Sequence, residues 1–193
     1  GESALSRKIH LTAQQYRLWW AKYTITGIAA GQTPPAKLKA VMQNADSVIC
    51  SSLERAQESA ALARGRAADR IDPELMEAAL PPPSLGPLKL RPKSWGTLSR
   101  VVWFLDLVDS EERVKPARAR AKRAADSLAL EAEGGRLIVA LAHGWFNRMV
   151  ATQLRKSGWK MTKNQGDLHW KYRRFERKTT LSKTDTSRKA YND

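Results

Sequence analysis

Two short apolar runs, each followed by a stretch of helical composition, stand out in the pattern of hydrophobic and polar positions. The runs are Asp46–Cys50 and Arg136–Ala142, and the stretches after them are Leu53–Arg64 and Trp145–Ser157. Short apolar runs bounded by turn residues are typical of buried strands. The pattern therefore predicts two strand–turn–helix units, with a further short strand at Arg70–Asp72 between them.

The remaining periodic segments predict helices. Thr12 and Gln15 have the spacing of a capping box, which marks the start of a helix. After them, four aromatic residues recur on one helix face, and we interpret this face as core packing rather than a ligand platform: Tyr16, Trp19, Trp20 and Tyr23. Further helices are predicted over Pro35–Gln43, Leu98–Val108 and Pro116–Ala132. Ser52 is the predicted N-cap of Leu53–Arg64.

Proline and polar residues interrupt this pattern. Leu80–Trp95 contains five prolines and is predicted to be a long loop. Residues 177–193 are polar without periodicity, which predicts a basic, flexible tail. Tyr172–Glu176 alternates bulky and basic residues, a pattern that fits either an edge strand or a nucleic-acid contact.

These elements together predict an α/β fold. Strands that alternate with helices favour a mostly parallel sheet. We expect a three-layer sandwich with helices on both faces of the sheet, formed by a single domain over residues 1–176. A chain of 193 residues is long enough to bury a substantial core as one unit.

Basic residues outnumber acidic ones by a wide margin. Lys and Arg number 34 against 19 Asp and Glu, which gives a formal net charge of +15. Such an excess favours anionic partners without choosing among nucleic acid, acidic membrane and phosphorylated molecules. The single cysteine, Cys50, suits a reducing compartment. Since no signal peptide or transmembrane run is visible in the sequence, we expect a cytoplasmic protein without a membrane partner.

Candidate chemistry follows the two predicted strands. In open parallel sheets, ligands bind beyond the carboxyl ends of the strands. Arg55 follows the strand that ends at Cys50, and His143 and Gly144 follow the strand that ends at Ala142. Each residue alone also fits a packing or solvated role. Histidine, arginine and the N-terminus of the following helix together indicate an oxyanion pocket, most simply one for phosphate.

The residues at these two strand ends resemble the signatures of a known family. Ser51–Ala60 reads S-S-L-E-R-A-Q-E-S-A and resembles the S-P-L-x-R-A-x-Q-T-A signature of the histidine phosphatase superfamily, the phosphoglycerate-mutase-like proteins. Leu141–Gly144 resembles the family's second histidine motif. Glu77 lies where the family places its acidic proton donor. The resemblance covers roughly Gly1–Phe175 and implies a phosphoglycerate-mutase-like fold.

The resemblance also implies a role for each of these residues. Arg55 and His143 bind the transferred phosphoryl group and are catalytic, Gly144 and Ser6 add phosphate contacts, and Glu77 protonates the leaving oxygen. The implied chemistry needs neither a metal nor another cofactor.

The resemblance places the nucleophile outside the given residues. The family's nucleophile is the histidine of an Arg-His-Gly-Glu motif, and Gly1-Glu2 match only the last half of it. We therefore expect the nucleophilic histidine and its strand to precede Gly1. Gly1-Glu2 also fits a tag remnant or a coincidence.

These observations lead to an expected function and an alternative. We expect a phosphohydrolase that acts through a phosphohistidine on a phosphorylated small molecule or a phosphoprotein. A mutase is less favoured because no substrate-binding insert of that kind is recognisable. Four cations either bind a second anionic group of the substrate or belong to a solvated basic loop: Lys89, Arg91, Lys93 and Arg100. The alternative is a catalytically inactive protein of the same fold that binds phosphate, another anion or nucleic acid.

Overall fold

The computed structural model describes residues 1–177, within which the chain forms six α-helices and five β-strands. The helices are α1 (Ala13–Ile25), α2 (Ala36–Gln43), α3 (Glu54–Arg64), α4 (Pro92–Phe104), α5 (Val114–Glu131) and α6 (Gly144–Lys156). The strands are β1 (Ser47–Cys50), β2 (Arg70–Ile71), β3 (Ile138–Leu141), β4 (Lys160–Asn164) and β5 (Arg173–Glu176). Two short 3₁₀ helices cover Pro73–Leu75 and Glu133–Gly135. Apart from Arg177, the predicted tail lies outside the described residues.

The central sheet consists of three parallel strands in the order β2-β1-β3. β1 pairs with β3 along its whole length, from Ser47 opposite Ile138 to Cys50 opposite Leu141. Both predicted strand–turn–helix units therefore form. Because their strands end in register, the residues that follow them are neighbours.

Helices cover both faces of this sheet, as predicted. Val48 and Cys50 pack against α2 and against the alanines of α3, whereas Ile49 packs against α5 and Phe146 of α6. Every residue of β1 is buried, which is the pattern expected of a parallel strand covered on both sides. The three-layer α/β sandwich is thus confirmed.

The aromatic face of α1 packs in the core as predicted, but all four of its rings also border the cavity described below. Tyr16, Trp19 and Tyr23 are buried with Trp95 of α4, and the ring centroids of Tyr16 and Trp95 lie 6.0 Å apart. The capping box at the start of the helix is present: the Thr12 side chain accepts from the Gln15 N–H, and the Gln15 side chain accepts from the Thr12 N–H.

The predictions for α4 were wrong at both ends. The helix begins at Pro92, inside the segment predicted as a loop, because a proline without an N–H is well accommodated in the first turn of a helix. It ends at Phe104, four residues before the predicted end. Its outer face is exposed rather than buried, since 54% of Phe104 is accessible.

Two further predictions need correction. Ser52 does not cap α3: the N-cap position belongs to Leu53, whose N–H donates to the Oγ of Ser51. β4 was not predicted, because all five of its residues are exposed and carry no alternating pattern. It pairs antiparallel with β5, so residues 173–176 form the strand that was one of two alternatives. None of the helices between residues 1 and 177 combines the length and apolar character that a membrane crossing requires.

Candidate active site

A cavity of about 490 Å3 opens where the carboxyl ends of β1 and β3 meet. Four of the five predicted catalytic and phosphate-binding residues line it: Arg55, Glu77, His143 and Gly144. Their convergence follows from the sheet, because the register of β1 with β3 brings the start of α3 beside the start of α6. The sequence separation of these residues gave no local sign of this proximity.

His143 occupies the N-cap position of α6 and is partly buried. Its Nε2 lies 2.9 Å from the Oγ of Ser51. Burial, followed by the positive charge of Arg55, lowers the pKa of His143 to about 3. The imidazole is therefore neutral near pH 7, and one of its nitrogens donates while the other accepts.

Arg55, the second residue of α3, is held in place by the end of α1. Its Nη1 donates to the carbonyl oxygen of Tyr23 and, at 3.1 Å, to that of Thr26. The guanidinium carbon lies 3.8 Å from the centroid of the Tyr23 ring. These contacts fix the guanidinium plane while none of its partners carries a negative charge, so Arg55 keeps its capacity to bind an anion.

Glu77 reaches the cavity from the loop after the 3₁₀ helix Pro73–Leu75 and is bound by the start of α6. Its Oε1 accepts from the N–H of Phe146 at 2.9 Å and its Oε2 from the N–H of Trp145 at 3.3 Å. Burial raises the pKa of Glu77, although these hydrogen bonds act in the opposite direction. The carboxyl therefore stays protonated at pH values where an exposed glutamate is already ionised. The N–H groups of Trp145 and Phe146, in the first turn of α6, thus bind the Glu77 carboxyl. The sequence had predicted instead that the N-terminus of this helix would face a bound oxyanion.

Two of the four predicted specificity cations line the cavity. Lys93 and Arg100 do so from α4, with Gly96 between them, and the spacing of three, four and seven residues puts all three on one helix face. The Nε of Arg100 is buried without a hydrogen-bond partner. Lys89 and Arg91 do not line the cavity. A basic loop remains an adequate description of those two residues.

Ser6 is not brought to the site. Its side chain is exposed, and its carbonyl oxygen accepts from the indole N–H of Trp19, which holds this segment against α1. Among the cavity-wall residues that sequence reasoning did not assign to the site are Arg7, Tyr23 and His169. It also missed the contact of Ser51 with His143. The only signal available for His169 was its residue type.

Strand β3 has one free edge at the cavity. Within residues 1–177 it pairs with β1 and with no other strand. Residues 139–144 form part of the cavity wall, and no residue of β3 is classed as fully buried although all four are apolar. In the same described region, no three His, Cys, Asp or Glu side chains are grouped as metal ligands would be.

A sequence profile of the histidine phosphatase superfamily (branch 1) matches residues 24–170, a segment that contains Arg55, Glu77 and His143. The chain belongs to this superfamily. Membership supports a phosphatase-type activity in general terms and leaves the substrate open. No curated protein matches the sequence significantly.

Solved structures of low sequence identity are similar to this chain, and the first of them shares its fold. The product of open reading frame Rv3214 of Mycobacterium tuberculosis superposes with a TM-score of 0.50 at 22% identity, over 79% of this chain and 75% of the other. A mycobacterial hydrolase gives a TM-score of 0.48 at 16% identity, over 91% and 92% of the two chains. A candidate α-ribazole-5′-phosphate phosphatase of Escherichia coli gives 0.44 at 20% identity, over 66% of each chain.

Proposed function

We propose that the protein is a phosphohydrolase that cleaves a phosphomonoester through a phosphohistidine intermediate. The observation that carries the proposal is the convergence of Arg55, His143 and Glu77 in one cavity, within the segment that matches the family. The first two supply donors for phosphate oxygens. The third is a carboxyl whose raised pKa suits a proton donor.

The chemistry divides between two steps. In the first, an imidazole nitrogen attacks phosphorus, a P–N bond forms, and the P–O bond to the leaving alcohol breaks as Glu77 gives its proton to that oxygen. In the second, water attacks phosphorus, the P–N bond breaks, and the Glu77 carboxylate takes a proton from the water. Arg55 and His143 stabilise the charge on the phosphoryl oxygens in both steps.

The proposal assigns the nucleophile to a histidine that precedes Gly1 and reaches the site on a strand paired with the free edge of β3. Gly1 itself lies in the cavity wall, where its amino group donates to the Oγ of Ser59 at 2.5 Å. His169 is the other histidine in the cavity wall and is therefore the alternative nucleophile. The trapping experiment described below distinguishes the two.

The substrate is proposed to carry a second anionic group. Lys93 and Arg100 line the cavity from one face of α4 and take part in no ion pair within residues 1–177. A carboxylate or a second phosphate on the substrate would supply the missing counter-charge. Both a small phosphorylated metabolite and a phosphopeptide satisfy this condition.

The second candidate function is the binding of nucleic acid by a catalytically inactive protein of the same fold. The distribution of charge favours it, because residues 148–193 contain 13 Lys and Arg against 4 Asp and Glu, or +9 of the total +15. Among residues 148–177, six of the nine cations lie outside the cavity wall. This candidate predicts salt-dependent binding to DNA or RNA that survives the change Arg55→Ala.

Trapping of the intermediate distinguishes the two functions. The protein, expressed with whatever residues its gene encodes before Gly1, is mixed with a phosphomonoester, quenched within one turnover and digested for mass spectrometry. We expect a phosphohistidine in a peptide upstream of Gly1. A phosphate on His169 would replace the proposed nucleophile. A protein that shows no phosphohistidine and no turnover, yet binds DNA in a salt-dependent way, would establish the second function.

A further inference from the structure

We propose that Ser51 is a positioning residue that fixes the tautomer of His143, so that the imidazole presents its N–H at Nδ1 to the bound phosphate. The inference rests on the proposed function, because it concerns how His143 meets the phosphoryl group. Ser51 itself touches neither the substrate nor the reacting atoms in this scheme.

The contact is built into the sheet. Ser51 directly follows β1, and its backbone N–H donates to the carbonyl oxygen of Leu141, the last residue of β3, at 2.8 Å. The side chain of Ser51 is completely buried, and its Oγ lies 2.9 Å from the Nε2 of His143. Both partners therefore lie just beyond strands that pair along their full length, so the sheet holds their backbones close together.

The other hydrogen bond of the Ser51 hydroxyl indicates which group donates in its contact with His143. The Oγ of Ser51 already accepts from the N–H of Leu53 at 3.2 Å. Its own hydroxyl hydrogen needs an acceptor, and among the hydrogen bonds of residues 1–177 the only one available is the Nε2 of His143. If the hydroxyl donates, Nε2 carries the lone pair. A neutral imidazole then carries its proton on Nδ1.

The protonation state of the ring agrees with this assignment. Burial and the charge of Arg55 lower the pKa of His143 to about 3, so the ring has one N–H rather than two near neutral pH. Nδ1 makes no hydrogen bond within residues 1–177 and remains available in the cavity wall. An N–H at this position is attractive to a phosphate oxygen, whereas the opposite tautomer would present a lone pair to an anion.

Nitrogen-15 NMR tests the tautomer without any need for activity. The chain has only three histidines, His10, His143 and His169, so long-range ¹H–¹⁵N spectra can be assigned with single variants. We expect a pyridine-like Nε2 and a pyrrole-like Nδ1 for His143, and a mixture of tautomers in Ser51→Ala. The matched control is Ser99→Ala, which removes another buried hydroxyl that has no partner and lies outside the cavity. A pyrrole-like Nε2 in the unsubstituted protein, or an unchanged spectrum in Ser51→Ala, overturns the proposal.

Kinetics give a second, independent readout. In the active protein, Ser51→Ala should lower kcat at least about tenfold, with recovery in Ser51→Thr, which keeps a hydroxyl, and no loss in Ser99→Ala. Turnover that is unaffected by Ser51→Ala refutes the positioning role and leaves the phosphohydrolase intact. The expected tautomer in a protein without any phosphomonoester turnover refutes the phosphohydrolase instead.

Discussion

Arg55 and Arg100 in the cavity differ from Arg120 and Arg123 on α5 in what surrounds them. Arg120 of α5 pairs with Glu112 at 2.6 Å, and Arg123 of the same helix pairs with Glu74 at 2.8 Å. Arg55 and Arg100 line the cavity and have no carboxylate within ion-pair distance among the described residues. Arg55 is supported by two backbone carbonyls and an aromatic ring instead.

The net charge of +15 therefore includes two kinds of arginine: those paired with carboxylates and those left without a counter-ion. A paired arginine on a helix surface is nearly neutralised and contributes little to ligand binding. An arginine that is buried without a counter-ion is unfavourable until a ligand supplies one. Arg55 and Arg100 therefore lack a counter-charge that Arg120 and Arg123 already have.

The largest expected effect is at Glu77, the carboxyl inside the cavity. Glu77→Gln removes the proton donor and should lower kcat about 10²- to 10³-fold. Because burial raises the pKa of Glu77 and the protonated form is the active one, kcat in the unsubstituted protein should fall as pH rises through that raised pKa. This alkaline limb should disappear in the variant. Glu74→Gln is the control, since Glu74 is bound to Arg123 outside the cavity; an equal loss in both variants contradicts the assignment.

A smaller effect, on stability rather than turnover, is expected at the paired charges. Arg64 is buried at the end of α3 and lies 2.7 Å from Asp69, which also accepts from the N–H of Val48. Asp69→Asn should lower the free energy of unfolding by about 2 kcal/mol, less than for a fully buried pair because Asp69 is partly exposed. Arg64 holds the pKa of Asp69 below its usual range, so this stabilisation is present near neutral pH and lost as pH falls below the ordinary carboxyl range.

Chemical denaturation monitored by circular dichroism measures this loss, with Arg123→Gln as the comparison. The Arg123–Glu74 pair is exposed, so its loss should lower the free energy of unfolding much less than Asp69→Asn does. A larger loss for Arg123→Gln than for Asp69→Asn would reverse the proposed division between buried and surface pairs.

The smallest expected effect concerns substrate choice. Arg100→Gln should raise the KM of a phosphomonoester that carries a second anionic group about tenfold, which corresponds to one charge-assisted contact. The KM of a phosphomonoester without that group should stay unchanged. Arg91→Gln, at the N-cap of the same helix and outside the cavity, is the matched control. Equal effects on both substrates would make Arg100 a general structural residue.

The sequence predicted those parts of the molecule that depend on local patterns. The apolar runs at residues 46–50 and 136–142 became β1 and β3, and this was sufficient to place Arg55 and His143 just beyond the carboxyl ends of strands. The family signatures added Glu77, which has no local pattern of its own. The capping box of α1 was also visible, because its two residues are three positions apart.

Contacts between distant segments could not be predicted in this way. Ser51 and His143 are 92 residues apart in sequence, and their approach depends on the register of β1 with β3. The support of Arg55 by Tyr23 depends on how α1 packs beside α3. Pro92 was misinterpreted for a different reason. Proline is favoured in the first turn of a helix, but the run of prolines before Pro92 led to the prediction of a loop. Ser6 was placed by alignment to a motif, and the packing of Trp19 against its carbonyl group holds it elsewhere.

The most direct test of the account compares two buried arginines of α3, one inside the cavity and one outside. Arg55 lines the cavity, whereas Arg64 pairs with Asp69 away from it. The protein, expressed with the residues that its gene encodes before Gly1, is assayed for kcat/KM on p-nitrophenyl phosphate at a temperature where both Arg55→Ala and Arg64→Ala remain folded. We predict a loss of at least about 100-fold for Arg55→Ala and a loss within about threefold for Arg64→Ala. Equal losses in the two variants, or full turnover in Arg55→Ala, would contradict the central claim that the unpaired arginine of the cavity binds the phosphoryl group.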